Sequence, residues 1–270
     1  MKAMRVDPSV LLFFEAMIVA HIILLFIKPL RNRGIHSFIF GIYISVKTRH
    51  IKPSGNAPPK VFVYLSFCLI VLCYIMLFVA RYLTIIIKLR RCLDMLIPEV
   101  VGLQDLLIFY VVTWGVAGII GPFHEWMHFR FAMRSGIRVD KVGAIILMGF
   151  PLVFFVSPDL KNESDPYKKM VVVAGGLIAN AVVLGLVGLL YLILRSVYLG
   201  ILLTLVLLIF IGNIIPYHAY VKVDGVIFLE YLIEKIAKKH RGCGYILQGI
   251  LYAVLLGIIF FILYDIGDIL

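Results

Sequence analysis

Residues 106–131 read LLIFYVVTWGVAGIIGPFHEWMHFRF, a long apolar run that ends in two histidines and a glutamate. About 20 apolar residues in a helix are enough to cross a bilayer, so this run predicts a membrane helix. Its last turns contain the pattern H-E-x-x-H, formed by His124, Glu125 and His128. Residues four apart lie on the same face of a helix. The pattern therefore predicts two neighbouring imidazoles near one end of a membrane helix.

The H-E-x-x-H pattern has the chemistry of a metal site. Two imidazoles on one helix face can hold one metal ion, and the glutamate after the first histidine can reach a metal-bound water. In water-soluble proteins this pattern is typical of zinc peptidases. Ionisable residues inside a membrane are costly and usually functional. The close spacing of three such residues here therefore indicates a metal centre rather than stray interfacial side chains.

The composition of the whole chain also predicts a membrane protein. The chain has 270 residues, of which 63% are hydrophobic and 15% charged, and its mean hydropathy is +1.06. Soluble domains contain fewer apolar residues, so we expect one all-α polytopic membrane domain over residues 1–270. The net charge of +11 could indicate nucleic-acid binding. Because the basic residues are spread over the loops, we expect them to set the orientation of the helices in the membrane and to contact lipid headgroups.

Six segments are apolar and long enough to be transmembrane helices. A shorter apolar stretch, Val142–Val156, is broken by Gly143, Gly149 and Pro151. We expect this stretch to form a re-entrant or interfacial hairpin after the H-E-x-x-H helix, with its backbone shielded by the rest of the protein. The six predicted spans are residues 10–28, 61–87, 106–132, 168–194, 199–219 and 245–264.

The distribution of basic residues predicts how these spans are oriented. Of the 26 Lys and Arg residues, 19 lie in or beside the loops that follow spans one, three and five. The positive-inside rule places that side in the cytoplasm and both termini outside. The histidine pair then lies toward the cytoplasmic end of its helix. We expect the host membrane to be a prokaryotic cell membrane.

A third metal ligand must come from outside the H-E-x-x-H helix. Catalytic zinc usually has three protein ligands and one water. Asp224 follows the fifth predicted span, on the side of the membrane predicted for the histidines, although Asp-Gly is also a common turn sequence. His218, six residues earlier, is the second candidate. Either residue would complete a site for one zinc ion per chain.

Three separated motifs resemble those of the site-2 protease family of intramembrane zinc metalloproteases. The first is His124–His128, and the second is the small-residue segment Ala174–Asn180. The third is Asn213–Pro216, an Asn-x-x-Pro sequence, followed by Val223–Gly225, which contains Asp-Gly. The resemblance covers about residues 106–240, which would form the catalytic core. The PDZ and CBS domains that accompany this core in many family members have no counterpart in the sequence.

The resemblance implies a role for each polar residue of the three motifs. Glu125 would be the general base, and Asn180 and Asn213 would lie near the site, where an amide can hold the substrate carbonyl. Asn180 and Asn213 could equally form hydrogen bonds between helices, and the glycines of the second motif fit close helix packing. Asn213 and Asp224 are further apart than in the family, which keeps His218 open as a ligand. The implied zinc ligands are His124, His128 and Asp224.

The function we expect is that of an intramembrane zinc endopeptidase. Its partners would be the lipid bilayer and a transmembrane helix of a membrane-protein substrate, cut by metal-activated water near the cytoplasmic face. A metal-gated membrane transporter and a catalytically dead membrane scaffold are the alternatives from other classes. A prenyl-protein-processing metalloprotease is a rival enzyme, whose third ligand would be one of the later glutamates Glu163, Glu230 and Glu234.

Overall fold

A computed structural model describes most of the chain as helices around a small antiparallel sheet. The described residues are 5–26, 34–38, 41–48, 51–55, 58–80, 100–215, 223–239, 244–251 and 253. The helices are α1 (Pro8–Leu25), α2 (Val61–Ala80), α3 (Leu103–Arg134), α4 (Pro166–Leu194), α5 (Val197–Ile214) and α6 (Asp224–Lys239), and residues 244–251 are also helical.

Two segments far apart in the chain pair to form the sheet. The strands are β1 (Arg5–Val6), β2 (Ile35–Phe38), β3 (Gly41–Lys47), β4 (Val100–Val101), β5 (Val139–Leu147) and β6 (Phe150–Pro158). Strands β2, β3, β5 and β6 lie in that order in one antiparallel sheet, while β1 and β4 form a short parallel pair. Strand β3 pairs with β5 from Gly41 opposite Leu147 to Lys47 opposite Lys141. The sheet thereby brings the segment after α1 beside the end of α3.

The prediction of an all-α protein with six transmembrane helices is wrong. Residues 34–48 were assigned to a loop, yet they provide two of the four strands of the sheet. Within the described residues, Pro166–Leu194 is the one helix long and apolar enough to cross a membrane, judged by length and composition. The apolar stretches Pro8–Leu24, Val61–Ile75 and Leu202–Ile214 are shorter. Most of the predicted span 245–264 lies outside the described residues.

The predicted hairpin after the H-E-x-x-H helix is part of this sheet and not an isolated re-entrant loop. Strands β5 and β6 are joined by Met148 and Gly149, whose φ angles of 49° and 79° are both positive. Two-residue hairpin turns with this handedness match the twist of the flanking strands. Gly149, which seemed to break an apolar segment, therefore closes a hairpin. The pairing of β5 with β3 was not detectable from apolar composition.

Helix α4 is the centre of the packed core. Asp165 caps its first turn by accepting a hydrogen bond from the backbone N–H of Tyr167 at 2.9 Å, and Pro166 occupies the first helical position. The helix is buried almost continuously from Met170 to Asn180 and packs against α2, α3, α5 and α6. Its second half is largely exposed. The functional residues described below surround the buried half.

Candidate metal centre

The two histidines of the H-E-x-x-H pattern face one another near the end of α3. Their Nε2 atoms are 3.1 Å apart, and each residue is only 8% exposed. The helix continues through Pro122 without ending, so the four-residue spacing places both rings on one face. The predicted pairing of His124 and His128 is therefore present in the structure.

Asp224 lies against both histidines, although it is far from them in the sequence. Its Oδ2 atom lies 3.1 Å from Nε2 of His124 and 3.0 Å from Nε2 of His128. The three atoms form a nearly equilateral triangle, which we call the ligand triangle. Asp224 is the first residue of α6 and not part of an isolated Asp-Gly turn. His218, the alternative ligand, lies outside the described residues.

Close contact between α5 and α6 explains how Asp224 reaches the histidines despite the long spacing from Asn213. A Cβ atom on Gly225 would lie 2.5 Å from the carbonyl oxygen of Ile214, the last residue of α5. Only glycine allows this approach without displacing the backbone. Phe228, one turn into α6, is fully buried and anchors the helix in the core. The position of Asp224 is thus set by where α6 docks rather than by the number of residues in the preceding loop.

The chemistry of the ligand triangle fits a metal ion. Nδ1 of His128 lies 2.8 Å from the carbonyl oxygen of Val172. A carbonyl can only accept, so Nδ1 carries a hydrogen, and the Nε2 of a neutral ring presents a lone pair. The Nε2 atoms of both histidines and Oδ2 of Asp224 meet at one point, and a shared cation, whether a proton or a metal ion, stabilises this arrangement. Metal–ligand bonds of about 2.0–2.2 Å place ligand atoms about 3.0 Å apart at octahedral angles and about 3.4 Å apart at tetrahedral angles. The observed spacing of 3.0–3.1 Å therefore fits a metal ion of either geometry.

Electrostatics keep the carboxylate of Asp224 in its ligand form. Burial alone would raise its pKa, but the neighbouring His128 and His124 outweigh burial and hold the pKa of Asp224 well below its usual range. A carboxylate that interacts with positive charge or with hydrogen-bond donors favours its ionised form. Asp224 therefore remains ionised at neutral pH, which is the form in which a carboxylate can bind a metal ion.

Glu125 lies beside the ligand triangle without being part of it. Its Oε1 atom is 3.8 Å from Nε2 of His124, and ligand atoms of Glu125 and the two histidines lie within 4.8 Å of one another. Asp224 is nearer to both histidines than Glu125 is, so Asp224 is the better placed third ligand for a metal ion and Glu125 lies at the edge of the site. The backbone of Val156 in β6 forms a hydrogen bond with the Glu125 carboxylate. This contact orients Glu125, and no sequence pattern indicated it.

Strand β6 reaches Glu125 because α3 carries a glycine at the contact. Strand β6 packs along α3, and a Cβ atom on Gly121 would overlap the ring of Phe154. Trp114 fixes the hairpin further along, since its Nε1 donates to the carbonyl of Gly149 at 2.7 Å. Gly121 thus lets an edge of the sheet approach the end of α3 that carries the metal ligands.

The two predicted asparagines differ in their surroundings. Asn180 is 2% exposed, and among the described residues neither its Nδ2 nor its Oδ1 finds a hydrogen-bond partner. Nδ2 of Asn213 donates to the carbonyl of Ile209 at 3.0 Å, one turn earlier on its own helix. Asn180 therefore has an unused buried amide, whereas the Asn213 amide is engaged by its own backbone. Their roles in catalysis remain predictions.

Two of the glutamates considered as rival ligands are paired elsewhere. Glu163 accepts from the backbone N–H of Asp165 at 2.9 Å and lies 3.3 Å from Nζ of Lys168. Glu234 lies 3.4 Å from both Lys169 and Lys238. The third position beside the histidines is occupied by Asp224 and by neither of these two glutamates.

Neither a family model, nor a curated protein, nor a solved structure matches this chain. The resemblance to site-2 proteases therefore rests on the quoted motifs. The geometry of the ligand triangle is an independent observation.

Proposed function

We propose that this protein is a membrane-embedded zinc endopeptidase. The observation that carries the proposal is the ligand triangle of His124, His128 and Asp224 with the unshared carboxylate of Glu125 beside it. Two imidazoles and one carboxylate are a ligand set found in catalytic zinc sites that retain an open position for water. A purely structural zinc site would have four protein ligands and no need of a neighbouring base.

Each residue of the site has its own role in the proposed hydrolysis. Bound zinc supplies a Lewis acid and lowers the pKa of a coordinated water. Glu125 takes a proton from the attacking water and passes it to the leaving nitrogen of the peptide. The hydrogen bond from Val156 keeps the Glu125 carboxylate in place. Asn180, whose buried amide has no partner in the described part of the chain, offers an N–H group to the carbonyl oxygen of the substrate.

The sheet beside the metal ligands favours a peptide substrate. Strand β6 is at the end of the four-stranded order, next to α3. An edge strand can bind an extended peptide through backbone hydrogen bonds. A substrate helix that unwinds near Glu125 would thereby find partners for its exposed backbone groups. A transporter has no evident need for an edge strand at its metal site.

Exposed apolar side chains support the membrane setting. On the second half of α4, Leu192, Ile193 and Leu194 are each at least 63% exposed. Similar side chains cover the outer faces of α1 and α2, where Leu12 is 64% and Tyr64 is 67% exposed. Apolar surfaces of this extent are unusual on soluble monomers. A bilayer covers such surfaces without a protein partner.

Replacement of Glu125 by Gln tests the proposed function. We expect the purified Glu125→Gln protein to retain its zinc and to cleave a membrane-spanning test substrate about 10²–10⁴-fold more slowly, because the general base is lost. Glu163→Gln is the control, since Glu163 lies in a surface loop paired with Lys168. Wild-type cleavage by Glu125→Gln would contradict the mechanism. If the wild type carries metal across the membrane and does not cleave the substrate, the result favours a transporter. If the wild type binds zinc but shows neither activity, the result favours a scaffold.

A further inference from the structure

Gly176 of α4 lies directly against the ligand triangle. A Cβ atom at this position would be 2.6 Å from Oδ2 of Asp224 and 2.5 Å from Cε1 of His124. It would lie even closer to Nε2 of His128. Side-chain atoms essentially never approach this closely, so the three ligands leave no room for any side chain at residue 176. The backbone of α4 therefore covers one face of the triangle.

The adjacent glycine has a different environment. A Cβ atom on Gly175 would meet backbone atoms of α3, 2.8 Å from the carbonyl oxygen of Met127. Gly175 thus serves close packing of α4 on α3, as small residues commonly do between helices. The two glycines are neighbours in sequence, but only Gly176 faces the metal ligands.

We propose that Gly176 is required for metal binding, because it closes one face of the ligand triangle and confines the ion to the other face. This inference rests on the metal site of the proposed function. Three ligands define a plane with two faces, and the backbone of Gly176 excludes water and other ligands from one of them. Metal, water and substrate must then use the other face. A side chain at residue 176 would displace the ligands themselves.

The closed face leaves the opposite face for the metal ion and its non-protein ligands. A four-coordinate ion such as zinc would take one further ligand there, and a six-coordinate ion held by the same three residues would take three there. The wall at Gly176 therefore fixes the side from which the ion and its other ligands approach, whichever coordination number the ion has.

The test compares Gly176→Ala with Gly185→Ala, a matched control on the same helix. A Cβ atom on Gly185 meets nothing within 4 Å in the described structure. Metal-free proteins in detergent would be titrated with Zn²⁺ and Co²⁺. We expect Gly185→Ala to bind one zinc ion with wild-type affinity and Gly176→Ala to bind it about 10–100-fold more weakly, the range found when residues around metal ligands are changed. Wild-type affinity in Gly176→Ala would overturn the proposal.

A second measurement covers the case in which Gly176→Ala does not fold, which circular dichroism of the metal-free proteins would reveal. In that case Gly176→Ala is combined with His124→Ala, His128→Ala and Asp224→Ala, which remove the side chains that the added Cβ would overlap. The combined variant should fold as well as the same triple variant with Gly176 retained, and a failure to fold that persists only when Gly176→Ala is present would overturn the proposal. Both readouts are independent of peptide cleavage. If Glu125→Gln cleaves at the wild-type rate while Gly176→Ala binds zinc more weakly, the peptidase mechanism is rejected and the role of Gly176 stands.

Discussion

A backbone atom sets the orientation of His128, whereas Nδ1 of His124 has no hydrogen-bond partner among the described residues. The Val172 carbonyl fixes the hydrogen of His128 on Nδ1 and turns Nε2 toward Asp224 and His124. Outer partners of this kind hold metal-bound histidines in one tautomer and raise their basicity. The acceptor here is a backbone atom of α4, so it can be provided by any residue at position 172. A residue-by-residue comparison of sequences would not reveal it.

The identity of the third ligand gives a prediction at the same scale. Asp224→Ala should lose most bound zinc, because it removes one of the three atoms of the ligand triangle and leaves two imidazoles. His218→Ala should retain one zinc ion per chain. Metal content of the two purified variants and the wild type, measured by mass spectrometry, decides between them. Loss of zinc in His218→Ala with retention in Asp224→Ala would assign the ligand to His218 instead.

The unpartnered amide of Asn180 leads to a second prediction. A buried polar group without a hydrogen bond costs about 1–3 kcal/mol. Asn180→Leu, close in size, should therefore leave the free energy of unfolding unchanged or higher. Cleavage should fall by about 10²–10³-fold if the amide stabilises the substrate oxyanion. Thermal unfolding and rate measurements on the same preparation test both statements. A large loss of stability would mean that the amide has a structural partner.

At the scale of elements, the site depends on how α6 docks against α5 and α4. The contact of Gly225 with Ile214 holds the first residue of α6 beside the histidines. At the other end of α6, Lys169 on α4 lies 3.4 Å from Glu234 and over the ring of Tyr231. Phe228 lies between these contacts, fully buried. Helix α6 is therefore fixed at both ends and in the middle, which keeps Asp224 in register with α3.

Gly225→Ala tests this docking. The added Cβ would lie 2.5 Å from the Ile214 carbonyl oxygen, so α6 must move away from α5. Overpacking of this kind costs about 1–3 kcal/mol, and we expect a lower unfolding temperature together with weaker zinc binding. Gly212→Ala is the control, because a Cβ atom there meets nothing within 4 Å of the described structure. An equal effect of both variants would show that helix propensity, and not docking, is responsible.

At the scale of the whole molecule, α4 combines two environments in one helix. Its first half is buried among four other helices, and its second half carries exposed leucines such as Leu186 and Leu189. Lysines occupy the polar end, at Lys168 and Lys169. A helix with this distribution fits a position in which the basic end lies at a membrane surface and the exposed apolar end lies in lipid.

Membrane association is the corresponding prediction. The protein should remain in the membrane pellet after washes with high salt and alkaline carbonate, and detergent should release it. A surface-bound protein held by its positive charge would be released by salt, because electrostatic attraction to anionic lipids is screened. Immunodetection in the soluble and pelleted fractions measures the outcome. Recovery in the soluble fraction before detergent is added would contradict the membrane setting.

The sequence by itself determined the parts of the site that are local. His124 and His128 are one helical turn apart, so the helix period alone places their rings together. The apolar runs of residues 61–87 and 168–194 also predicted helices, which the structure contains as Val61–Ala80 and Pro166–Leu194, with residues 81–87 outside the described part of the chain. Strands β5 and β6 were missed because mostly apolar segments lack the two-residue period that marks a strand. Strand β3 has that period, since Ile42, Ile44 and Val46 alternate with Tyr43, Ser45 and Lys47, but the segment was taken for a loop between two spans.

Only the tertiary structure decided the remainder. Asp224 is 96 residues from His128 and meets it through the docking of α6. The Val156 backbone reaches Glu125 because β6 pairs in the sheet and packs on Gly121. Such contacts depend on long-range packing, whose geometry is not encoded in the spacing of residues. The sequence therefore supplied the side chains of the candidate site, and the packing of four helices and a sheet edge brought those side chains together.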